Sequence, residues 1–469
     1  MLKYLIALGV SAVISTPGAA QRPTLSASTR SFLAVDTPLV ALTHVTLIDG
    51  TGAPARNDQT ILLRDGRIQS VGASGAVTIP AAAKVLDLTG QTVIPGLVGL
   101  HEHTYLGGIT HTAPMLHSAM LYLAAGVTTA MTAGSFLPYN ELNIKRQVDA
   151  GELPGPRFYI GGPYLTGRRN EPGPFRVIES PEDAARVVNY WADEGATWFK
   201  ILSGPSAVVR AVVSAAHARG LKVNAHLCAV TFTEGARLGM DLLQHGFITN
   251  SEYVPGKQPD VCPPTNQKAQ ADVDPTSPEV RESIRRIIAA GASVVSTLAV
   301  YESFSLTRSR LDTAEMAMLA PDVRREVEET HAALAQSSFI VPDRLLTKMM
   351  QWEREFVADG GLLGAGCDPW GTGFMPGYGD LRNYELLIEA GFSPPAVVQI
   401  MTLNGARILG QQARIGSVEA GKSADLVVIR GNLVADPHAI RNVSIVFRDG
   451  YGFDSAKLRN EVRGKLGAH

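Results

Sequence analysis

At 469 residues the chain is long enough for one large core and a smaller satellite domain. A net charge of −2 argues against a nucleic-acid or acidic-membrane partner, which would need a basic patch. Charged residues are only 18% and hydrophobic ones 45%, with 46 glycines and 28 prolines, which suits a compact, loop-rich, enzyme-like body.

Residues 1–20 read as a cleaved signal peptide. Lys3 is followed by a short apolar run to Ile14, then by small residues up to Ala20, the expected last residue removed. The run falls well short of the roughly 20 apolar residues a membrane span needs. The expected address is periplasmic or secreted in a bacterium, with no membrane association after cleavage. The 3 cysteines, Cys228, Cys262 and Cys367, are far apart and lack C-x-x-C spacing. Export permits one disulfide, but nothing resembles a disulfide framework, so packing is expected to stabilise the fold.

Residues 22–37 are Ser/Thr-rich and expected to be irregular. Leu42–Ile48 and Ile61–Val71 follow as short strands, the second broken by Asp65-Gly66, a strong hairpin signal. A similar pattern returns at Ala424–Arg430 and Val443–Gly450. Short strands need partners, so residues 38–91 and 409–455 are predicted to meet in one small β-sandwich, with a catalytic body, 92–408, inserted between them.

That body alternates strands and helices. Apolar runs end at His103 and Gly134, and others cover Arg157–Leu165, Trp198–Ser203, Leu221–Leu227, Leu242–Phe247, Ser293–Val300 and Leu362–Asp368. Helical stretches such as Ser180–Glu194, Ala207–Arg219, Glu279–Ala290 and Ala314–Ala335 lie between them. The pattern predicts an α/β fold, a TIM-like (β/α)8 barrel. A doubly wound open sheet is the alternative, but no Gly-rich phosphate loop follows the first strand. Two long connections, Tyr253–Ser277 and Glu302–Lys348, read as lids or substrate-binding walls.

Barrel enzymes keep their chemistry at the C-terminal ends of the strands. The first strand ends in His101-Glu102-His103, whose alternation points both imidazoles one way and Glu102 the other. The fourth strand supplies Lys200, the fifth His226, the sixth His245 and the eighth Asp368. Singly, Lys200 reads as a solvated strand end, His226 as a core histidine and Asp368 as an N-cap. As a set at matching places they read as a metal site.

With these residues, the chain resembles metal-dependent members of the amidohydrolase superfamily, in its imidazolonepropionase/Xaa-Pro dipeptidase-like branch. The likeness runs from about Leu42 to about Gly450 and includes Pro95–His103, Asn404–Gly410 and Gly416–Val427. It implies two divalent metal ions. His101, His103 and Asp368 would hold the more buried one, and His226 and His245 the second, with Lys200, carboxylated by CO2, bridging both. The donor set suits Zn²⁺ first. A protonated lysine beside two cations is untenable, whereas a neutral amine can take up CO2. A metal-bridging hydroxide would attack the carbonyl, with Asp368 as general base and then general acid. Deaminase branches would use one metal and no bridging lysine, so Lys200 favours hydrolysis of an amide in a small substrate such as a dipeptide or N-acyl amino acid. Alternatives are another carbonyl bond (carbamate, urea, ester or lactone) or a non-catalytic metal-binding protein. A homo-oligomer is expected.

Several positions depart from the family pattern. Gly99 replaces an Asp, which should affect support of the first strand. Tyr164–Asn170 replaces a Gly-Gly-His segment and brings Arg168 and Arg169, a pair suited to a substrate carboxylate. Cys228 replaces a larger polar residue and shares the parity of His226, so it faces the site, whereas Cys367 should face the helices. Tyr105, Tyr253, Tyr301 and Trp370 are candidates for an apolar pocket. The remaining histidines, His111 and His117 among them, are read as non-ligands.

Overall fold

The computed structural model describes residues 22–107, 116–167, 174–371 and 373–467. The expected signal segment and the Arg168–Arg169 pair fall outside these residues, as does His111.

Eight parallel strand positions make the catalytic body: β1 (Leu97–Glu102), β2 (Val127–Thr132), β3 (Arg157–Tyr159, resuming as Gly161–Thr166), β4 (Trp198–Leu202), β5 (Lys222–His226), β6 (Leu242–Gln244), β7 (Ser293–Ser296) and β8 (Leu363–Ala365). β8 pairs with β1, and β1 with β2. The first half of β3 pairs with β2 and its second half with β4. The two ends of the sheet are therefore halves of one chain segment, and the sheet curls back on itself. A two-residue strand, Arg176–Val177, adds to the edge of β3. The observed strands are mostly shorter than the predicted runs. Ser293–Val300, for example, leaves the sheet after Ser296 and becomes the helix Leu298–Glu302, which carries Tyr301 over the strand ends.

The barrel helices begin where the sequence supplies caps. Ser180 caps Pro181–Glu194, and Ser277 caps Pro278–Ala289, each through its hydroxyl and each with proline at the helix start. The single helix expected over Ala314–Ala335 is broken: Thr313–Met316 stops before Pro321, whose ring opens the next helix, Pro321–Ala332.

The terminal segments form one connected sheet of nine strands rather than the two facing sheets of a sandwich. The cause is the nine-residue strand Leu39–Leu47, which pairs with Arg56–Arg64 on one side. On the other side it serves two partners, Lys84–Asp87 along Val40–Thr43 and Gln91–Pro95 at Thr46–Leu47. Splitting one long strand between partners folds the sheet around its own core of Val40, Leu42, Ile61, Leu63, Val428 and Phe447. The hairpin at Asp65-Gly66 forms, both residues having positive φ. The segment expected to be irregular holds a short helix, Ala27–Arg30, and a strand, Leu33–Val35, paired with Tyr451–Asp454.

The join between the two sheets lies within the stretch Thr92–Thr104. Gln91–Pro95 pairs with Leu426–Arg430 in the terminal sheet, and Leu97 begins the barrel after Gly96. Apolar side chains from several strands, including Val98, Leu100, Trp198, Leu242 and Val295, close the floor of the barrel. Above them the side chains are polar, and the site begins. No described helix is long and apolar enough to cross a membrane.

Candidate metal centre

His101, His103 and Asp368 come together at the C-terminal rim. Their ligand atoms lie within 4.8 Å of one another. Asp368 Oδ1 is 3.6 Å from His101 Nε2 and 3.3 Å from His103 Nε2, and its other oxygen is 3.8 Å from His245 Nδ1. The His226 and His245 ring centroids are 4.6 Å apart, and those of His101 and His245 4.5 Å. Lys200 is buried, lines the same cavity, and its Nζ has no hydrogen-bond partner. All six residues expected as ligands therefore surround one space.

Three backbone devices aim these side chains. Leu100 packs in the barrel floor, so strict alternation would turn His101 outward; a register shift between Gly99 and Glu102 restores it to the inside. On β6, Leu242 and Gln244 have the inward parity, and His245 reaches the site because its φ of 70° turns the chain there. Asp368 likewise sits at φ 49°. Left-handed backbone at non-glycine residues costs about 1–2 kcal/mol each, and it falls here on two side chains of the site.

The imidazoles are held as neutral donors of lone pairs. His101 Nδ1 donates to the Gln244 amide oxygen at 2.6 Å. The Gln244 amide nitrogen donates in turn to Asn224 Oδ1 (3.2 Å), and Asn224 Nδ2 to the Phe199 carbonyl (3.2 Å). This relay fixes the orientation of Gln244 and leaves His101 Nε2 facing Asp368. His245 Nδ1 lies 2.9 Å from the Thr297 hydroxyl. Burial first, then Lys200 and neighbouring histidines, holds the His101 pKa well below its ordinary value; burial, then His226 and Lys200, does the same for His245. Burial, then Lys200, lowers His226 to about 4. Burial likewise lowers Lys200 to about 7, with Asp368 opposing. Near neutrality a large share of Lys200 is the free amine that CO2 uptake requires. Buried neutral imidazoles, a carboxylate among them and an orphaned amine fit divalent metal ions and a carboxylated lysine.

Behind the site, Glu102 points away from the imidazoles, as expected. Cys367 donates to its carboxylate from both backbone N (3.3 Å) and Sγ (3.0 Å), so Cys367 faces the helix layer. Burial first and Asp380 second push the Glu102 carboxyl well above its usual range. An ideal Cβ on Gly99 would lie 2.3 Å from Glu102 Oε1. The departure at Gly99 is thus matched by a carboxyl group that folds into the vacated space.

The family model for the amidohydrolase family matches residues 266–451. A solved structure of a proposed prolidase from Bifidobacterium longum is 27% identical and covers 90% of this chain and 98% of its own, with a TM-score of 0.66. Family model and solved structure agree in making this chain similar to amidohydrolases. The fold is also similar to that of a Xaa-Pro dipeptidase with methionine bound in its active site, at 19% identity, a TM-score of 0.65, and coverage of 89% and 100%. Among curated sequences, an imidazolonepropionase from Streptomyces griseus is 24% identical over 242 residues, 43% of this chain and 62% of that protein. The chain spans less than two thirds of the curated relatives it matches first: 62% of that imidazolonepropionase and 22% of an enamidase from Eubacterium barkeri.

A cavity of about 360 Å³ lies over these candidate ligands. Tyr301 and Trp370 line it as expected, Tyr301 edge-on to His245 at 5.5 Å. Tyr105 is one layer back: it stacks on His103 at 4.8 Å and shares a 2.7 Å hydroxyl contact with Tyr164, whose own hydroxyl is 3.3 Å from His103 Nε2. Tyr253 is displaced from the site, stacking on Phe247 and accepting from Trp352 Nε1 at 3.4 Å. The sequence reading missed Phe136, Phe175, Phe304 and Phe339, which also line the cavity. It also missed the supports Gln244, Asn224 and Thr297. Asn224 was legible, since it precedes His226 by two residues and shares its face. A larger cleft of about 650 Å³ at the opposite end of the barrel, around Arg157 and Asp449, contains no histidine.

Cys228 is bonded to Cys262, a separation of 34 residues, so the one disulfide that export permits is formed. Sequence distance concealed the pairing because the connection after β6 folds back over the rim. Lys257 Nζ donates to Ala229 O at 2.7 Å, and Asn266 Nδ2 to Ile248 O at 3.1 Å. Crosslinking a loop of this size stabilises by roughly 3–4 kcal/mol. Replacing both cysteines with alanine should therefore lower the unfolding free energy by that amount and raise m, because the released unfolded chain exposes more surface, in urea unfolding followed by circular dichroism.

Proposed function

We propose that the protein is an exported, metal-dependent hydrolase that cleaves an amide bond in a small substrate such as a dipeptide or an N-acyl amino acid. The observation that carries the reading is the convergence of His101, His103 and Asp368 beside a buried, unpartnered Lys200 amine. His101, His103 and Asp368 would hold one divalent ion, and His226 and His245 the second. Zn²⁺ suits these nitrogen and oxygen donors best. When bound, the ions acidify water and polarise the scissile carbonyl.

The chain's own residues do the rest. The neutral Lys200 nitrogen would form a bond to the carbon of CO2 and lose one proton to solvent, which would make it an anionic oxygen donor available to the ions. Asp368 takes the proton of the attacking water and delivers it to the leaving nitrogen. Gln244 and Thr297 hold the imidazoles in the orientation that ligation needs. The aromatic walls exclude water from the reacting bond. The Cys228–Cys262 disulfide supports an oxidising, exported address.

The test is a screen of dipeptide and N-acyl-amino-acid libraries with metal-reconstituted protein whose metal content is measured. Hydrolysis dependent on two ions per chain is expected. Tight metal binding with no hydrolysis of any amide would overturn the reading, and turnover of esters or lactones alone would replace the amide with another carbonyl bond.

A further inference from the structure

The cleft of about 650 Å³ at the end of the barrel away from the metal set lies where the strand starts of the body meet the terminal sheet. Six cations line it, Arg22, Arg67, Lys145, Arg157, Arg414 and Arg448, against Asp65, Asp149 and Asp449. Arg157 belongs to the join itself. Its Nη1 donates to Asp425 Oδ2 at 3.1 Å, behind the wall, and its Nη2 to Asp449 Oδ1 at 2.8 Å. With Asp425 counted as a fourth acid, the six cations still leave an excess of two positive charges. Residues 1–21 contain one lysine and no aspartate or glutamate, so the chain before Arg22 supplies no counter-charge.

Arg448 is the informative residue. It is 9% exposed, and its Nε is sealed in the wall without a hydrogen-bond partner. Its ion-pair contact, from Nε to Asp449 Oδ2, is loose at 3.7 Å. Among the described residues neither terminal nitrogen has an acceptor, yet neither is sealed as Nε is, so both keep surface on the cleft that Arg448 lines. Burial lowers the Arg448 pKa, with Asp449 opposing and Arg157 adding to the effect. A guanidinium stays protonated all the same, so the fold holds a desolvated cation short of acceptors. Arg414 stands beside it, half exposed, with Nη2 at 3.6 Å from Asp449 Oδ1. Two guanidiniums thus flank one carboxylate, each beyond hydrogen-bonding distance, while Arg157 already neutralises that carboxylate.

We infer that this cleft is a second binding site, which takes a small organic phosphate monoester on Arg414 and Arg448. A phosphate monoester carries roughly −1.5 to −2 charge at neutral pH and three acceptor oxygens. That charge matches the excess in the wall, and planar arginine forks bind phosphate oxygens in pairs. A monocarboxylate would balance only half of the excess. The cleft is also larger than a bare phosphate fills, and Phe158 and Tyr159 in its wall give the organic part apolar surface. The site is independent of the chemistry proposed at the other rim and does not rest on the hydrolase reading.

The experiment uses the metal-loaded full chain with phenyl phosphate and with inorganic phosphate, read by calorimetry and by thermal melting, against potassium chloride at equal ionic strength. Phenyl phosphate should bind, raise the melting midpoint beyond the chloride control, and bind more tightly than inorganic phosphate. Its affinity should fall as salt is raised. Arg448→Gln and Arg414→Gln should each weaken it by roughly 10- to 100-fold, the loss expected for one charged contact. Without phosphate, Arg448→Gln should melt no lower than the parent, because an unpaired buried charge has been removed. A lower melting point there, with phosphate binding unchanged, would make Arg448 part of the join and overturn the inference. If Arg448→Gln does not fold, Arg414→Gln, at a half-exposed position, carries the test. Phosphate binding that survives both substitutions would belong to the metal ions and would also overturn it, as would no shift beyond chloride. Equal affinity for the two phosphates would overturn the ester and leave free phosphate as the ligand.

Discussion

Lys200→Ala is expected to lose more than about a hundredfold in turnover and to bind less metal, while the barrel stays folded. In the proposed two-metal site, losing the carboxylated side chain would take an anionic donor from between two cations in a dry site, where one electrostatic contact is worth roughly 10²–10³ in rate. The ion at His226 and His245 should leave first, because the other retains His101, His103 and Asp368. Folding should not suffer. Burial lowers the Lys200 pKa from the ordinary 10.5 of a lysine to about 7, so the unfolded chain binds a proton that the metal-free folded chain gives up. That penalty, several kcal/mol, is fully present below pH 7, fades as pH rises and is gone above the unfolded pKa. Alanine removes it, so the metal-free variant should melt no lower than the parent at neutral pH. A short carboxylic acid in the medium should restore part of the rate by supplying the missing oxygens. Lys200→Arg should not be rescued, since its guanidinium stays charged and cannot take up CO2. Metal stoichiometry and rates for both variants, with and without acid, provide the check. Two ions per chain and parental rates in Lys200→Ala would make Lys200 a bystander.

The positions of the metal-set residues were legible because a parallel barrel delivers strand ends to one rim, and the sequence marks strand ends by where apolar runs stop. The means by which they reach the site were not. Period-two alternation from Leu100 would have turned His101 outward, and alternation from Leu242 would have placed Gln244 inside and His245 outside. A register shift and a left-handed residue correct both, and neither has a local signature in His-Glu-His or Gln-His-Gly. The substrate walls were less legible still. Phe136, Phe304 and Phe339 sit on connections whose paths depend on contacts formed at a distance, and an aromatic residue in a loop reads equally as packing. The Cys228–Cys262 bridge failed to show for the same reason: only the return of the chain after β6 brings the two residues together. In the terminal sheet, turn chemistry at Asp65-Gly66 was decisive, but nothing in Leu39–Leu47 says that one strand will serve three partners.

Asp368→Asn should reduce kcat by about 10²–10⁴-fold with KM little changed, the range associated with loss of a positioned proton carrier. The substitution isolates chemistry from structure. Asp368 sits at φ 49°, a conformation that asparagine also tolerates and alanine does not, so the backbone turn after β8 is kept. Volume is nearly unchanged, and the side-chain carbonyl can still face His101 and His103 across the 3.6 and 3.3 Å gaps. What is lost is the negative charge and the ability to carry a proton from the attacking water to the leaving nitrogen. Metal affinity should fall at the His101–His103 position, so rates must be compared at saturating metal with content measured in parallel. A variant that acts only through lost metal would regain its rate as metal is raised. Loss of the proton carrier would leave kcat low at full occupancy. A parental rate at full occupancy would confine Asp368 to ligation and leave the proton transfers to solvent.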